Sequence, residues 1–194
     1  MQNYSLDSLF PKPLYCVDNF LLENLDAFEQ GIDRVTLTHG TYSSAALGVN
    51  STHQTNQQIH TEPEFAPLVI ALQDHIMEFA RIIGHEARKA FLFNINSMWA
   101  NTSDQGGYNF PHTHPGGVIA GAYYVRVDSP DATITFFNQH DPILTPKEPS
   151  PYSNTKMTYP CLPGRLFLFK GDFVHGNFPQ PTPGVKKVIS FNVS

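Results

Sequence analysis

Two of the chain's histidines occupy a spacing that can do chemistry, in the stretch Asn109-Phe110-Pro111-His112-Thr113-His114-Pro115-Gly116-Gly117. Side chains repeat with period 2 along extended backbone, so His112 and His114 project to the same side if the chain is extended there. Two imidazoles on one side are half of a metal site. A third candidate, His175, follows the apolar segment Gly164-Arg165-Leu166-Phe167-Leu168-Phe169-Lys170 and the turn Gly171-Asp172. A closed barrel lays strands distant in sequence side by side, so His175 can meet His112 and His114 at one mouth. Three neutral imidazoles would then hold a divalent metal and leave positions open for substrate and oxygen. Lys186 and Lys187 open the last apolar segment. An inward cation there would pair with a carboxylate that also chelates the metal.

Elements must exist to bring these residues together. Phe20, Leu21, Leu25 and Phe28 recur at helical spacing, with Asp18 as N-cap and Gly31 as the stop. From Asp33 to Gln58 the chain is polar and reads as strand fragments and a long loop. Thr61-Glu62-Pro63-Glu64 has the spacing of a capping box, and Phe65, Leu68, Leu72, Ile76, Phe79 and Ile83 lead to Gly84. One stripe on one long helix predicts packing on the outside of a sheet. From Phe91 the period changes to 2, through Ile95, Ser97, Trp99 and Asn101. Further strands are expected at Val118–Val127, Ala132–Phe137, Arg165–Lys170 and Val185–Val193, with Gly106-Gly107 as a turn and His140 to Pro160 as a long insertion. Ser8 to Val17 reads as an edge strand, which could pair two copies of the chain.

Composition bounds the class. The 194 residues suit one domain, expected over 1–194 with a helical and edge-strand part at 1–90 and a barrel core at 91–194. Low charge (15%) with 16 Pro and 13 Gly favours a β-rich fold with many turns. A net charge of -5 offers no footprint for nucleic acid. Cys16 and Cys161 lack metal or redox spacing and are expected as two buried free thiols in a reducing cytoplasm. Neither a signal peptide nor a bilayer-spanning run is read, so a cytoplasmic protein without membrane contact is expected.

The combination Trp99-x-Asn101, Gly107, His112-x-His114, Gly121-x-Tyr123-Tyr124, Gly164-Arg165-Leu166-x-Leu168-Phe169, His175 and Ile189-Ser190-Phe191-Asn192, with Leu9-Phe10-Pro11 near the start, resembles the 2-oxoglutarate and Fe(II)-dependent oxygenases of bacteria and their viruses, relatives of the prolyl 4-hydroxylases. The resemblance implies a mainly β fold with flanking helices, a double-stranded β-helix of the jelly-roll or cupin kind. It implies Fe(II) on His112, His114 and His175. Lys186, or Lys187 if the register differs by one residue, would anchor 2-oxoglutarate, with hydrogen bonds from Tyr124, Asn101 and Tyr108. The activity implied is hydroxylation of an organic substrate by O2 with release of succinate and CO2, with no catalytic side chain beyond the metal ligands.

Two departures stand out. The wider superfamily has Asp or Glu where this chain has His114, and usually Arg where it has Lys186. Lysine neutralises a carboxylate but cannot form the planar bidentate pair. His114 could alternatively support the site by a hydrogen bond, with water or Asp104 completing the metal. A three-histidine dioxygenase that needs no 2-oxoglutarate, and a jelly-roll binding or structural module with zinc or no metal, are the rival readings.

Overall fold

The computed structural model describes residues 11–42, 46–85, 94–138 and 154–194. The start of the first expected strand with Leu9-Phe10, the positions Phe91 and Phe93, and much of the expected insertion lie outside them. Among the described residues ten strands and two α-helices follow one another: β1 (Tyr15–Val17), α1 (Leu25–His39), β2 (Thr41–Tyr42), β3 (Ala46–Ser51), α2 (Ala66–Ile82), β4 (Ile95–Asn109), β5 (Ile119–Val127), β6 (Thr133–Phe137), β7 (Lys156–Pro160), β8 (Leu166–Lys170), β9 (His175–Gly176) and β10 (Lys186–Val193). They form a seven-stranded sheet, ordered β1-β8-β5-β10-β4-β3-β2, and a three-stranded sheet, ordered β7-β6-β9. Every strand pair is antiparallel. This is the double-stranded β-helix.

The large sheet is buried on both faces, which is why its central strands read as continuous apolar runs. Tyr123, Val125, Leu166, Leu168, Ile189, Phe191 and Val193 face the helices, where Phe28, Ile32, Leu68, Leu72, Ile76 and Phe79 cover them. Ala120, Ala122, Tyr124, Phe167, Phe169 and Val188 face the small sheet and meet Ile134 and Phe136. Each fully buried Phe or Leu of the helix stripe contributes about 1.5–3 kcal/mol, so α2 is the clamp that holds the large sheet from behind.

Several local expectations are corrected. Helix α1 does not stop at Gly31 but runs on to His39, burying Val35 and Thr36. Gly31 is there for proximity: a Cβ would stand 3.0 Å from the Phe65 ring. Asp18 is no cap; it accepts a bidentate ion pair from Arg165. Thr61 makes no capping box, since its hydroxyl donates to the Gln58 carbonyl and Pro63 opens a short 3-10 turn before α2. Gly106-Gly107 lies inside β4, opposite the irregular pairing of β3 between Leu47 and Val49. The Pro- and Ser-rich stretch ends in strand β7. Cys16 is exposed and only Cys161 is buried, both as free thiols.

Candidate active site

The two histidine-bearing segments are joined by an isolated antiparallel bridge. His112 N–H donates to the His175 carbonyl at 2.9 Å, and His175 N–H returns the bond to His112 at 3.0 Å. Residues exchanging both bonds are directly opposite, so their side chains share a face. His175 also lies opposite Phe136 of β6, which fixes the pair to the small sheet. Two residues on, His114 N–H donates to the Gly171 carbonyl at 2.8 Å. Glycine makes this closeness possible. A Cβ on Gly171 would collide with the Gly117 carbonyl, and one on Gly176 would stand 2.9 Å from the Asn109 carbonyl oxygen.

Every ring has one nitrogen occupied. His112 Nδ1 faces the Phe110 carbonyl at 2.7 Å, His175 Nδ1 the Phe173 carbonyl at 3.0 Å, and His114 Nδ1 the Asn192 side-chain oxygen at 2.5 Å. Oxygen acceptors of this kind cannot donate, so each Nδ1 carries a proton, and in the neutral ring the lone pair is then on Nε2. Potential ligand nitrogens of the three rings all lie within 4.8 Å of one another. The Nε2 atoms of His114 and His175 are 3.2 Å apart. Two lone pairs at that distance have no proton to share, and a cation between them resolves the contact. Two ligands at right angles, each about 2.1 Å from one ion, stand about 3 Å apart. The residues therefore fit a metal.

Burial, and then the neighbouring imidazoles, push His175 down to about 3; burial and His112 push His114 down to about 4. Both stay neutral, with lone pairs available, at physiological pH. Trp99 stacks on His114 with ring centres 5.7 Å apart, and Phe169 packs on His175 at 4.5 Å. No carboxylate belongs to the cluster among the described residues. Asp104 is exposed, so it does not complete the set.

The histidines open into a cavity of about 680 Å³, mouth included, between the two sheets. Lys186, Val188 and Ser190 of β10 line it at period 2, with Asn101 and Tyr124 on the strands either side. Lys186 is buried, which lowers its pKa, and no carboxylate is paired with it among the described residues. Lys187 points the other way and is held by Glu29 at 2.8 Å and Asp33 at 2.6 Å, both on α1. Asn101 accepts from Ser51 and donates to Ser190, and Tyr124 packs in the same buried cluster as Cys161. Tyr108 does not line the cavity; it lies opposite Leu47 and rings against Phe110 at 5.2 Å. The sequence carried no signal for His53, whose ring meets Trp99 at 4.8 Å, nor for the tie between Asn192 and His114 across 78 positions.

Comparison with known proteins agrees with this arrangement. Residues 97–192, which contain all three histidines and Lys186, match the model of the family described as "Putative 2OG-Fe(II) oxygenase". No curated protein matches the sequence. Among solved structures, the fold resembles the non-heme alpha-ketoglutarate-dependent epimerase SnoN of nogalamycin biosynthesis (TM-score 0.65, 12% identity, 94% of this chain and 76% of that one). It also resembles HygX from Streptomyces hygroscopicus, solved with nickel and 2-oxoglutarate (TM-score 0.63, 12% identity, 94% and 83%). A third likeness is to a prolyl-4-hydroxylase of Pseudomonas putida (TM-score 0.57, 10% identity, 93% and 92%). At these identities the structural likeness is one of fold, and it is the family match across the histidine-bearing strands that carries the assignment. The chain belongs to the 2OG-Fe(II) oxygenases, enzymes that use Fe(II) and 2-oxoglutarate.

Proposed function

We propose that His112, His114 and His175 hold the Fe(II), that Lys186 anchors 2-oxoglutarate, and that the enzyme hydroxylates a C–H bond of an organic substrate. The observation carrying this reading is the convergence of three imidazoles whose Nδ1 protons are all spoken for, within 4.8 Å. Iron with 2-oxoglutarate and O2 supplies the oxidising chemistry, one oxygen atom leaving in succinate as CO2 is released and the other entering the substrate.

The chain's own residues bind and orient. A buried ammonium without a counter-charge is costly, and the distal carboxylate of a dicarboxylate would offset that cost at Lys186. Asn101, Ser190 and Tyr124 offer polar groups from the adjoining strands. Trp99, Ile134, Phe169 and Val188 wall the cavity and keep water from the reacting atoms. The nine-residue connection 110–118 between β4 and β5 carries His112 and His114 at the mouth. The same proposal treats residues 1–194 as one oxygenase domain acting in the cytoplasm, and two copies as pairing through β1, an edge of the large sheet among the described residues; ultracentrifugation tests that pairing.

Anaerobic addition of Fe(II) and then 2-oxoglutarate, followed by visible absorption, tests the site. A weak charge-transfer band that appears only with both, and is absent from His175→Ala, is expected, as is succinate release under air. A band or turnover that ignores 2-oxoglutarate would favour the three-histidine dioxygenase. Loss of fold on chelation without O2 uptake would favour a structural metal.

A further inference from the structure

We propose that Asn192 is a positioning residue for the metal, setting which nitrogen of His114 is free to bind, with Ser97 setting the orientation of the Asn192 amide. The inference rests on the three-histidine reading above. Of the three imidazoles, two are held by main-chain carbonyls, of Phe110 and Phe173, which no substitution removes. Only His114 is held by a side chain, at 2.5 Å from Asn192 Oδ1.

An amide offers an acceptor at one end and a donor at the other, so its orientation decides the tautomer of the ring it faces. Asn192 Nδ2 donates to Ser97 Oγ at 3.0 Å, from directly across the β10–β4 pairing. The Ser97 hydroxyl gives its one proton to Asn96 Oδ1 at 3.4 Å and so accepts from Asn192, which turns Asn192 Oδ1 toward His114 and places the ring proton on Nδ1. With the amide reversed, the ring would have to accept at Nδ1 and carry its proton on Nε2, the nitrogen 3.2 Å from His175 Nε2. A proton there occupies the metal's position. Asn192 also lies on the strand that presents Lys186, so one strand serves both the metal ligand and the cavity's buried cation.

The Asn192 amide carries no charge. A carboxylate behind a metal-bound histidine raises the donor strength of the ring. Asn192→Asp therefore keeps the acceptor and adds charge, whereas Asn192→Ala removes the acceptor.

Trp99 is the chain's single tryptophan and stacks on His114, so its emission reports metal binding directly. The full chain would be titrated with Co(II) and Ni(II), and anaerobically with Fe(II), alongside thermal unfolding of each variant. Asn192→Ala should weaken metal binding roughly 10- to 100-fold. Ser97→Ala should weaken it less, in the same direction, and Asn192→Asp should bind at least as tightly as wild type. Asn192→Ala within twofold of wild type overturns the proposal. Equal weakening by Asn192→Ala and Asn192→Asp also overturns it, since that marks a role in shape alone. Should Asn192→Ala not fold, Ser97→Ala within twofold of wild type is the overturning result. His112→Ala separates the two readings: if wild type binds no metal, or His112→Ala binds as well, the three-histidine site itself is wrong. If His112→Ala abolishes binding while the Asn192 and Ser97 variants are silent, only the present inference fails.

Discussion

Lys186 and Lys187 are adjacent on β10 and their side chains leave opposite faces of the large sheet, one into the cavity and the other onto α1. Burial works against the charge of Lys187, but hydrogen bonds to Asp33 and Glu29 outweigh it and raise its pKa; for Lys186, burial lowers it. A one-residue slip of β10 would exchange the two lysines. The acids of α1 oppose that slip by holding Lys187 outside.

The two lysines should therefore separate by function. A hydrogen bond to a charged group is worth about 1.5–3 kcal/mol. Lys186→Ala should accordingly raise the KM for 2-oxoglutarate roughly 10- to 100-fold, with Co(II) affinity unchanged. Lys187→Ala should instead cost about 1–2 kcal/mol of stability in urea, a value lowered from that of a fully buried pair because Asp33 is largely exposed. Equal effects of both variants on the KM would contradict the assignment.

Gly171 sets how closely the two histidine segments approach. A methyl group there meets the Gly117 carbonyl, which is main chain and cannot swing aside. Gly171→Ala should cost about 1–3 kcal/mol of stability and loosen metal binding as His114 is moved from His175. Gly117→Ala is the control, since its Cβ would find neighbours no closer than 3.6 Å. Melting temperature and Co(II) titration read both variants.

The residues of the candidate site were largely legible because their chemistry is local in type: an H-x-H spacing, a lone histidine after an apolar strand, and lysines opening the last strand. The fold class followed from period-2 runs punctuated by Gly and Pro. What the sequence concealed was pairwise. Gly31 looks like a helix stop until Phe65 is placed against it. Residues 33–39 look like loop because most of that turn of α1 faces solvent, with only Val35 and Thr36 turned inward. Strand β7 is exposed and so lacks an apolar signature. Which lysine faces inward depends on Glu29 and Asp33, more than 150 positions away. The support of His114 by Asn192 is equally remote.

The metal-free protein should lose stability on mild acidification. Unfolded histidines take up protons near pH 6.5. In the folded chain His114 and His175 do so only at about 4 and about 3. Between those limits the unfolded state binds more protons, so stability is full above pH 6.5 and falls as pH drops toward 3–4. Each histidine contributes up to about 1.4 kcal/mol per pH unit across that window. Urea midpoints at pH 7.5, 6.5, 5.5 and 4.5 would measure the slope. The double variant His114→Gln/His175→Gln should flatten it, and an unchanged slope would refute the account.

The contact between position 114 and Asn192 predicts a reversal of sign. His114→Asp would place a carboxylate where the ring stood and bring the set to the two-histidine, one-carboxylate type. The new carboxylate can draw the Asn192 amide into the inverted orientation, with Nδ2 donating to it, provided the Ser97 hydroxyl gives up Asn96 Oδ1 and donates to Asn192 Oδ1 instead. His114→Asp alone should then retain Co(II) binding within about tenfold of wild type. Adding Asn192→Asp to it would set two carboxylates against each other with one donor too few, which disfavours both charges. The double variant should therefore bind at least tenfold more weakly than His114→Asp, although Asn192→Asp is expected to bind at least as tightly as wild type when His114 is present. A double-mutant cycle on Co(II) affinity measures that coupling, and additive effects would show that the two side chains do not act on the metal together.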